Sequence, residues 1–332
     1  MAENILEIED LHVQYRTDED IVYAVNGIDL HVAKGETLGL VGETGAGKTT
    51  TALSVLRLLP ERVGSITQGR ITLDGQDILE LGSDEMRAIR GNTVSMIFQD
   101  PMTSLNPTFT IGEQIAEVIV THNPHFKKNQ VESRVDELLE LVGLPKERKQ
   151  EFPHQFSGGM KQRVVIAMAL ACAPKLLLAD EPTTALDVTI QAQVLKMMSE
   201  LKDKLGTAML LITHDLGVVA ETCDRVAIMY AGEIVELGTV EELFEGKNHH
   251  PYTEGLFGSI PDMTKDEARL HPINGLMPDP TSLPVGCVFC DRCHKKMDIC
   301  AASKPKSYIV GEHKISCHLF DSLSENGEGV TK

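Results

Sequence analysis

The run Gly42-Glu43-Thr44-Gly45-Ala46-Gly47-Lys48-Thr49 decides the fold. Residues 37–41 before it read as a buried strand and residues 50–59 after it as a helix, so the glycines fall at a strand-to-helix turn. That is the context in which a GxxxxGKT spacing builds a phosphate cradle. Successive backbone N–H groups from Gly42 through Thr44, Gly45, Ala46 and Gly47 to Lys48, Thr49 and Thr50 converge at a helix N-terminus. The partial positive charge there favours a polyphosphate. Lys48 is then expected to reach the β- and γ-phosphates, and the Thr49 hydroxyl to ligate Mg²⁺.

At 332 residues the chain has room for one large core with an appendage, or for two domains. Its 31 basic and 49 acidic residues leave a net charge of -18, which repels a phosphate backbone and disfavours nucleic acid as a partner. No secretory leader is read at Met1-Ala2-Glu3-Asn4. The longest apolar stretch, residues 164–173, ends at Pro174 and falls short of the roughly twenty residues a bilayer span needs. A soluble chain is expected, reaching a membrane only through a partner.

Outward from the phosphate loop, residues 5–38 show short alternating runs that read as antiparallel strands. Gly69 to Leu73 is another, closed by the turn signal Asp74-Gly75. Val94 to Phe98 is a further strand with Gln99 at its C-terminal end, the edge where α/β sheets meet ligands. Between Ile111 and Val142 apolar positions recur at helical spacing, broken at Asn123-Pro124, which predicts a small helical insert. Continuous apolar strands return at 176–179 and 209–212, and the alternation of strands and helices implies a doubly wound α/β core. Residues 225–237 predict a terminal hairpin. Beyond about residue 248 proline crowds the chain, an extension of irregular structure is expected, and the last dozen residues read as a disordered tail.

Phosphoryl transfer also needs carboxylates that hold metal and polarise water. Asp180 and Glu181, closing Leu176-Leu177-Leu178-Ala179, supply both at a strand end. His214, in Thr213-His214-Asp215, closes the next strand and so stands near the same edge. A second anion-binding helix end is built by Phe156-Ser157-Gly158-Gly159-Met160-Lys161-Gln162-Arg163. One nucleotide has no use for two such ends in one chain unless the second serves a nucleotide held by another subunit.

Together these residues resemble the ATP-binding-cassette (ABC) ATPases over about residues 5–248. Ser157, Gly158 and Gly159 look like the family's signature, with Phe156 and Met160 in place of the commonest Leu and Gln. The resemblance implies a P-loop NTPase fold with a RecA-like core, an antiparallel β subdomain and a helical subdomain at about 100–160. It makes Tyr15 the residue that stacks on adenine, with Tyr23 a weaker candidate, and Gln99 the residue that senses Mg²⁺ and the membrane partner. Ala185-Leu186-Asp187 becomes the loop crossing the dimer seam, and His214 the switch histidine. It further implies a head-to-tail dimer with ATP between one subunit's phosphate loop and the other's signature. Glu181, His214, Gln99 and Lys48 are thereby the catalytic set, and Thr49, Gln99 and Asp180 the Mg²⁺ set.

Residues 98–107 and 179–189 resemble the ATPases of dipeptide, oligopeptide and nickel importers, as do His250-Pro251-Tyr252, Gly286-Cys287 and Arg292-Cys293 in the extension, 249–320. The partners so implied are a homologous ATPase subunit, two membrane permeases and, indirectly, an extracellular binding protein, with this chain at the cytoplasmic membrane face. A soluble ABC ATPase acting on nucleic acid or the ribosome is the competing reading. Of seven cysteines, five crowd the C-terminal end, which favours a metal or cluster site over disulfides. The resemblance associates Cys287, Cys293, Cys300 and Cys317 with a [4Fe-4S] cluster. Zinc is the alternative, with His294, His313 and His318 as further ligands and Cys290 as a competing thiol. A cluster here reads as a staple, with redox regulation a weaker third reading.

Overall fold

The computed structural model describes residues 3–184, 186–259, 273–311 and 313–321. Two sheets carry the architecture. β1 (Asn4–Arg16), β2 (Ile21–Ala33), β4 (Gly64–Leu73) and β5 (Gln76–Asp77) form an antiparallel sheet in the order β2-β1-β4-β5. β3 (Thr37–Val41), β6 (Val94–Ile97), β7 (Leu176–Asp180), β8 (Ala208–Thr213), β9 (Arg225–Tyr230), β10 (Glu233–Thr239), β11 (Ser307–Val310) and β12 (His313–Ser316) form the second, ordered β11-β12-β10-β9-β3-β8-β7-β6.

β6, β7, β8, β3 and β9 run parallel. Every residue of β3, β7 and β8 is buried, as a parallel sheet covered on both faces requires. The period-two alternation then sorts side chains to opposite faces. Leu177, Ala179, Met209 and Leu211 join the core under the helical insert. Leu176, Leu178, Leu210 and Ile212 join the core under the antiparallel sheet. Truncating any of these leucines to alanine should remove about 2–5 kcal/mol of stability.

The helices are α1 (Lys48–Val55), α2 (Ser83–Ile89), α3 (Pro101–Ser104), α4 (Ile111–His122), α5 (Lys128–Leu141), α6 (Gly158–Ala169), α7 (Val188–Leu205), α8 (Leu216–Thr222), α9 (Val240–Glu245), α10 (Pro251–Gly258) and α11 (Asp298–Ala302). The insert is the pair α4 and α5, broken near Asn123-Pro124 as the sequence predicts. α4 starts on a capping box, with Thr110 accepting from the Glu113 N–H and Glu113 accepting from the Thr110 N–H.

Three expectations are corrected. The helix after the phosphate loop runs 48–55 rather than 50–59. Gly47 at φ 106° lets it start earlier, while Arg57 at φ 49° and Pro60 prevent its continuation. The extension is also less irregular than its prolines suggest, and the hairpin β9–β10 is not the sheet's edge. β12 pairs antiparallel with β10 and β11 with β12, lengthening the core sheet. The extension needs little core of its own, because Tyr252, Val288 and Phe289 bury against Val41, Val226, Ile228 and Tyr230 of the main sheet. The predicted disordered tail lies outside the described residues save Asp321.

Candidate active site

The phosphate loop leaves the C-terminal end of β3, in the middle of the parallel sheet, and its neighbours present their own C-terminal ends at the same edge. Gly42 is required by close approach, since a Cβ there would lie 2.1 Å from the Met229 carbonyl oxygen. The loop is braced from below: the Ala46 N–H donates to the Glu43 carbonyl at 3.1 Å, and the Gly232 N–H, in the β9–β10 turn, donates to the Ala46 carbonyl at 2.9 Å. Lys48 is buried, its Nζ donating to the carbonyls of Gly42 at 2.7 Å and Glu43 at 3.0 Å. Burial lowers its pKa, while the carboxylates of Glu181, Asp180 and Glu43 pull it back up.

Thr49 and Asp180 meet. The Thr49 hydroxyl donates to Asp180 Oδ2 at 2.8 Å, from the first turn of α1 to the end of β7. Burial raises the Asp180 pKa, with the Thr49 bond and Lys48 opposing it and Glu181 reinforcing it. Adjacent Glu181 turns the other way through a left-handed φ of 46°. Its Oε2 accepts from Gln99 Nε2 at 2.9 Å and from the Thr184 hydroxyl at 3.0 Å, and its Oε1 faces His214 Nδ1 at 3.2 Å. Burial pushes the Glu181 carboxyl up, but the bonds from Thr184, His214 and Gln99 and the His214 charge outweigh it and hold the group below its ordinary range. Glu181 is thus the ionised hub of the strand ends.

The structure therefore gathers Lys48, Thr49, Gln99, Asp180, Glu181 and His214. Tyr15 joins them at the side, its hydroxyl 3.1 Å from Thr50 Oγ1. Tyr23 lies elsewhere on β2, its N–H donating to the Pro280 carbonyl at 2.8 Å. Gly158 and Gly159 pack instead against Leu186 and Ile190 at the start of α7. Ser157 caps α6 by accepting from the Met160 N–H at 3.4 Å, and Asp187 caps α7 by accepting from the Ile190 N–H at 3.0 Å. A Cβ on Gly159 would lie 2.5 Å from Ile190 Cγ2, so glycine lets the start of α6 seat closely on α7. Ala185 lies outside the described residues.

Thr184, Glu43, Tyr252 and Arg292 were not identified as site residues from sequence. Thr184 could have been found from its place three residues after Glu181. Tyr252 and Arg292 stand in runs that resemble the importer subgroup, but no local pattern ties them to the phosphate loop, because each meets Glu43 from more than two hundred residues away: the Glu43 N–H donates to the Tyr252 hydroxyl oxygen at 3.0 Å, and Arg292 Nη1 donates to Glu43 Oε2 at 2.9 Å.

Around the cysteines, burial pushes the Cys287 thiol up to about 12, against a Phe289 N–H and with help from Cys317, Cys300 and Cys293. Burial likewise holds Cys317 up at about 11, with Cys293 and Cys300 adding to it, and raises Cys293, where Cys300 and Cys290 add to it. Every pairing among Cys287, Cys293, Cys300 and Cys317 is thus close enough to couple. Cys290 instead faces Cys293 and the Lys296 ammonium. The alternative histidines face carboxylates: His313 Nε2 lies 2.7 Å from Glu236, His318 Nδ1 3.3 Å from Asp321 and His294 Nε2 3.7 Å from Glu254.

Comparison with known proteins matches residues 25–184 to the ABC transporter family and residues 235–300 to the oligopeptide/dipeptide transporter C-terminal region. The chain is 48% identical to the dipeptide transport ATP-binding protein DppD of Bacillus subtilis, over 98% of this chain and 97% of that one. It is 50% identical to the oligopeptide transport ATP-binding protein AppD of the same organism, over 96% and 97%. Among solved structures, a dimeric ATP-binding cassette in a post-hydrolysis state bound to ADP and Pi superposes with a TM-score of 0.64 at 27% identity, covering 71% of this chain and 98% of that one.

Proposed function

Since the chain belongs to the ATP-binding proteins of ABC transporters, and is an ATPase on that account, we propose that it powers import of dipeptides or oligopeptides across the cytoplasmic membrane. The observation that carries this reading is the match of residues 235–300 to the oligopeptide/dipeptide C-terminal region, on a chain that aligns with peptide-transport relatives over nearly its whole length.

Within the cycle, the phosphate loop binds the nucleotide through its backbone N–H groups and Lys48, and Tyr15 stacks on the adenine. A hydroxyl and a carboxylate 2.8 Å apart, Thr49 and Asp180, suit a hard divalent cation, and Gln99 completes the set. When bound there, Mg²⁺ neutralises phosphate charge. Glu181, ionised and held by Gln99, Thr184 and His214, orients and polarises the attacking water. His214 lies where it can follow the γ-phosphate and Glu181 together. Ser157, Gly158, Gly159 and Asp187, gathered where α6 and α7 begin, serve a nucleotide held by a partner ATPase subunit. ATP closes the dimer and hydrolysis reopens it.

The membrane partners are two permeases. No helix among the described residues is long and apolar enough to cross a membrane. The likeness to peptide-transport ATP-binding proteins supports docking on the permeases at the cytoplasmic face. A groove of about 490 Å³ on the helical insert, lined by Ala116, Val120, Phe126, Val131 and Val135, supports contact with a permease segment. In the extension, Cys287, Cys293, Cys300 and Cys317 hold a [4Fe-4S] cluster as a staple. Burial raises the thiols of Cys287, Cys293 and Cys317, each of which faces Cys300, so a bound cation would favour their ionised forms, and metal binding would then add to folding. The histidines facing carboxylates favour this set over zinc.

The test is reconstitution with the permeases and a peptide-loaded binding protein in liposomes. Peptide-stimulated ATP hydrolysis with uptake is expected. Stimulation by nickel alone would move the assignment to the nickel importers, and stimulation only by nucleic acid or ribosomes would sink it.

A further inference from the structure

We infer that the extension positions the phosphate loop, with Arg292 and Tyr252 as positioning residues for nucleotide binding through Glu43. This rests on the ATPase reading above and concerns the same loop.

Glu43 is the second residue of the phosphate cradle, and its carboxylate is a negative charge placed where a polyphosphate must bind. Left free, that charge would oppose the ligand. The structure gives it a partner: Arg292 Nη1 donates to Glu43 Oε2 at 2.9 Å. The guanidinium is held in place by the extension, through Nε to the Asn274 carbonyl at 3.1 Å and Nη2 to the Ile273 carbonyl at 3.4 Å, and by β9, through Nη1 to the Tyr230 hydroxyl at 3.3 Å. Its side chain is only 7% exposed, so water screens this pair less than a surface pair.

Tyr252 supplies the second contact, its hydroxyl oxygen accepting the Glu43 N–H at 3.0 Å. The N–H orientation of residue 43 is thereby set before any nucleotide arrives. Tyr252 is fully buried and packed with Tyr230 and Phe289, whose ring centroids lie 4.6 and 5.4 Å from its own. A third touch comes at Gly45, where a Cβ would lie 3.2 Å from Met277 Cε. Three separated parts of the extension thus converge on two loop residues, Glu43 and Gly45. A cradle made of backbone N–H groups depends on its conformation, and here part of that conformation is held from outside the cassette.

The test is a double-mutant cycle on the anaerobically purified full-length chain, reading KM and kcat for ATP and the Kd of a fluorescent ATP analogue. Arg292→Gln is expected to raise KM and Kd about tenfold, the loss of one charge-assisted contact, with kcat changed less than about twofold. Arg292→Lys should recover part of the affinity. Glu43→Gln combined with Arg292→Gln should restore it, because the charge that needed neutralising is gone. A purely structural arginine would give a loss that Glu43→Gln does not relieve, and that result, or unchanged affinity in Arg292→Gln, would overturn the inference. If Arg292→Gln fails to fold, Tyr252→Phe, which removes one oxygen, decides through a KM rise without loss of thermal stability; an unchanged KM there overturns it. A wild-type chain that binds no ATP would instead sink the ATPase reading.

Discussion

The Gln99 side-chain amide donates to Glu181 Oε2 across 2.9 Å, joining residues 82 positions apart at the ends of adjacent parallel strands. That contact, with His214 on the other oxygen, orients the carboxylate and opposes the upward push of burial on its pKa. Glu181→Gln should therefore lower ATP turnover by about 10²–10⁴-fold and leave nucleotide binding intact. Steady-state hydrolysis and equilibrium ATP binding measured on the same preparation check this; equal loss of both would reassign Glu181 to binding.

Lys48 donates to the Gly42 and Glu43 carbonyls, so its removal takes a donor from the loop as well as a contact from the nucleotide. Lys48→Ala should weaken ATP binding by roughly 10–100-fold, the loss of contacts to a charged ligand. Calorimetric titration with ATP reads it directly. Retained affinity would show that the backbone N–H groups suffice alone.

Ser157 caps α6 through the Met160 N–H. Loss of that cap in Ser157→Ala should remove only about 1 kcal/mol of stability. If the α6 N-terminus serves a partner's nucleotide, the variant should bind ATP normally as a monomer yet lose ATP-dependent association, measured by light scattering in a Glu181→Gln background. Association at the parental ATP concentration would place the signature outside the dimer seam.

The coupled thiols predict that Cys300→Ser and Cys317→Ser lose iron and sulfide and lower the thermal midpoint, whereas Cys290→Ser keeps them. Metal and sulfide content on anaerobically purified protein measures this. Stoichiometric zinc without sulfide would replace the cluster by a zinc staple.

A buried ion pair fastens the extension to β10. His249 Nδ1 lies 2.9 Å from Glu236 Oε1 and its Nε2 lies 3.0 Å from the Gly246 carbonyl oxygen, two acceptors that call for a doubly protonated ring. The Glu236 bond raises the His249 pKa above its model-compound 6.5 against opposing burial, with the Glu236 charge, the Gly246 carbonyl and Glu254 assisting. Glu236 is held down at about 2: burial pushes it up, and His249, His313, Thr253 and the His250 N–H outweigh that. His250 is buried as the neutral form, burial lowering it to about 4. The Glu236 contribution is present above the unfolded value of 4.5 and is lost as pH falls toward 2. The His249 contribution is complete below 6.5 and is lost as pH rises through its raised folded pKa. His250 works against the fold as pH falls below 6.5. The thermal midpoint of wild type should therefore exceed that of His249→Gln most below neutral pH, by about 2–4 °C per kcal/mol, with the gap closing as pH rises. A gap that widens with pH would contradict the pairing.

The phosphate loop, the acidic strand end at Asp180-Glu181 and the signature at Ser157 were legible because each is a local pattern whose chemistry needs neighbours in sequence. The helical insert was legible for the same reason, through its 3.6-residue period. The length of α1 was misread because a left-handed turn at Arg57 ends it, and hydropathy carries no signal for that. The extension was misread as irregular because prolines and few large apolar residues argue against a core of its own, and the strand it adds to β10 borrows a core already built.

By itself, then, the amino-acid sequence determined the class of fold, the nucleotide chemistry and the cysteines available for a metal centre, since residue type and short-range spacing suffice for backbone cradles, strand-end acids and thiolate sets. The tertiary structure alone decided that Gln99, Thr184 and His214 share one carboxylate, that Cys290 faces Cys293 and Lys296, and that Arg292 and Tyr252 hold Glu43. Those contacts join residues as much as 249 positions apart, and their existence depends on sheet order and packing, which no local pattern encodes.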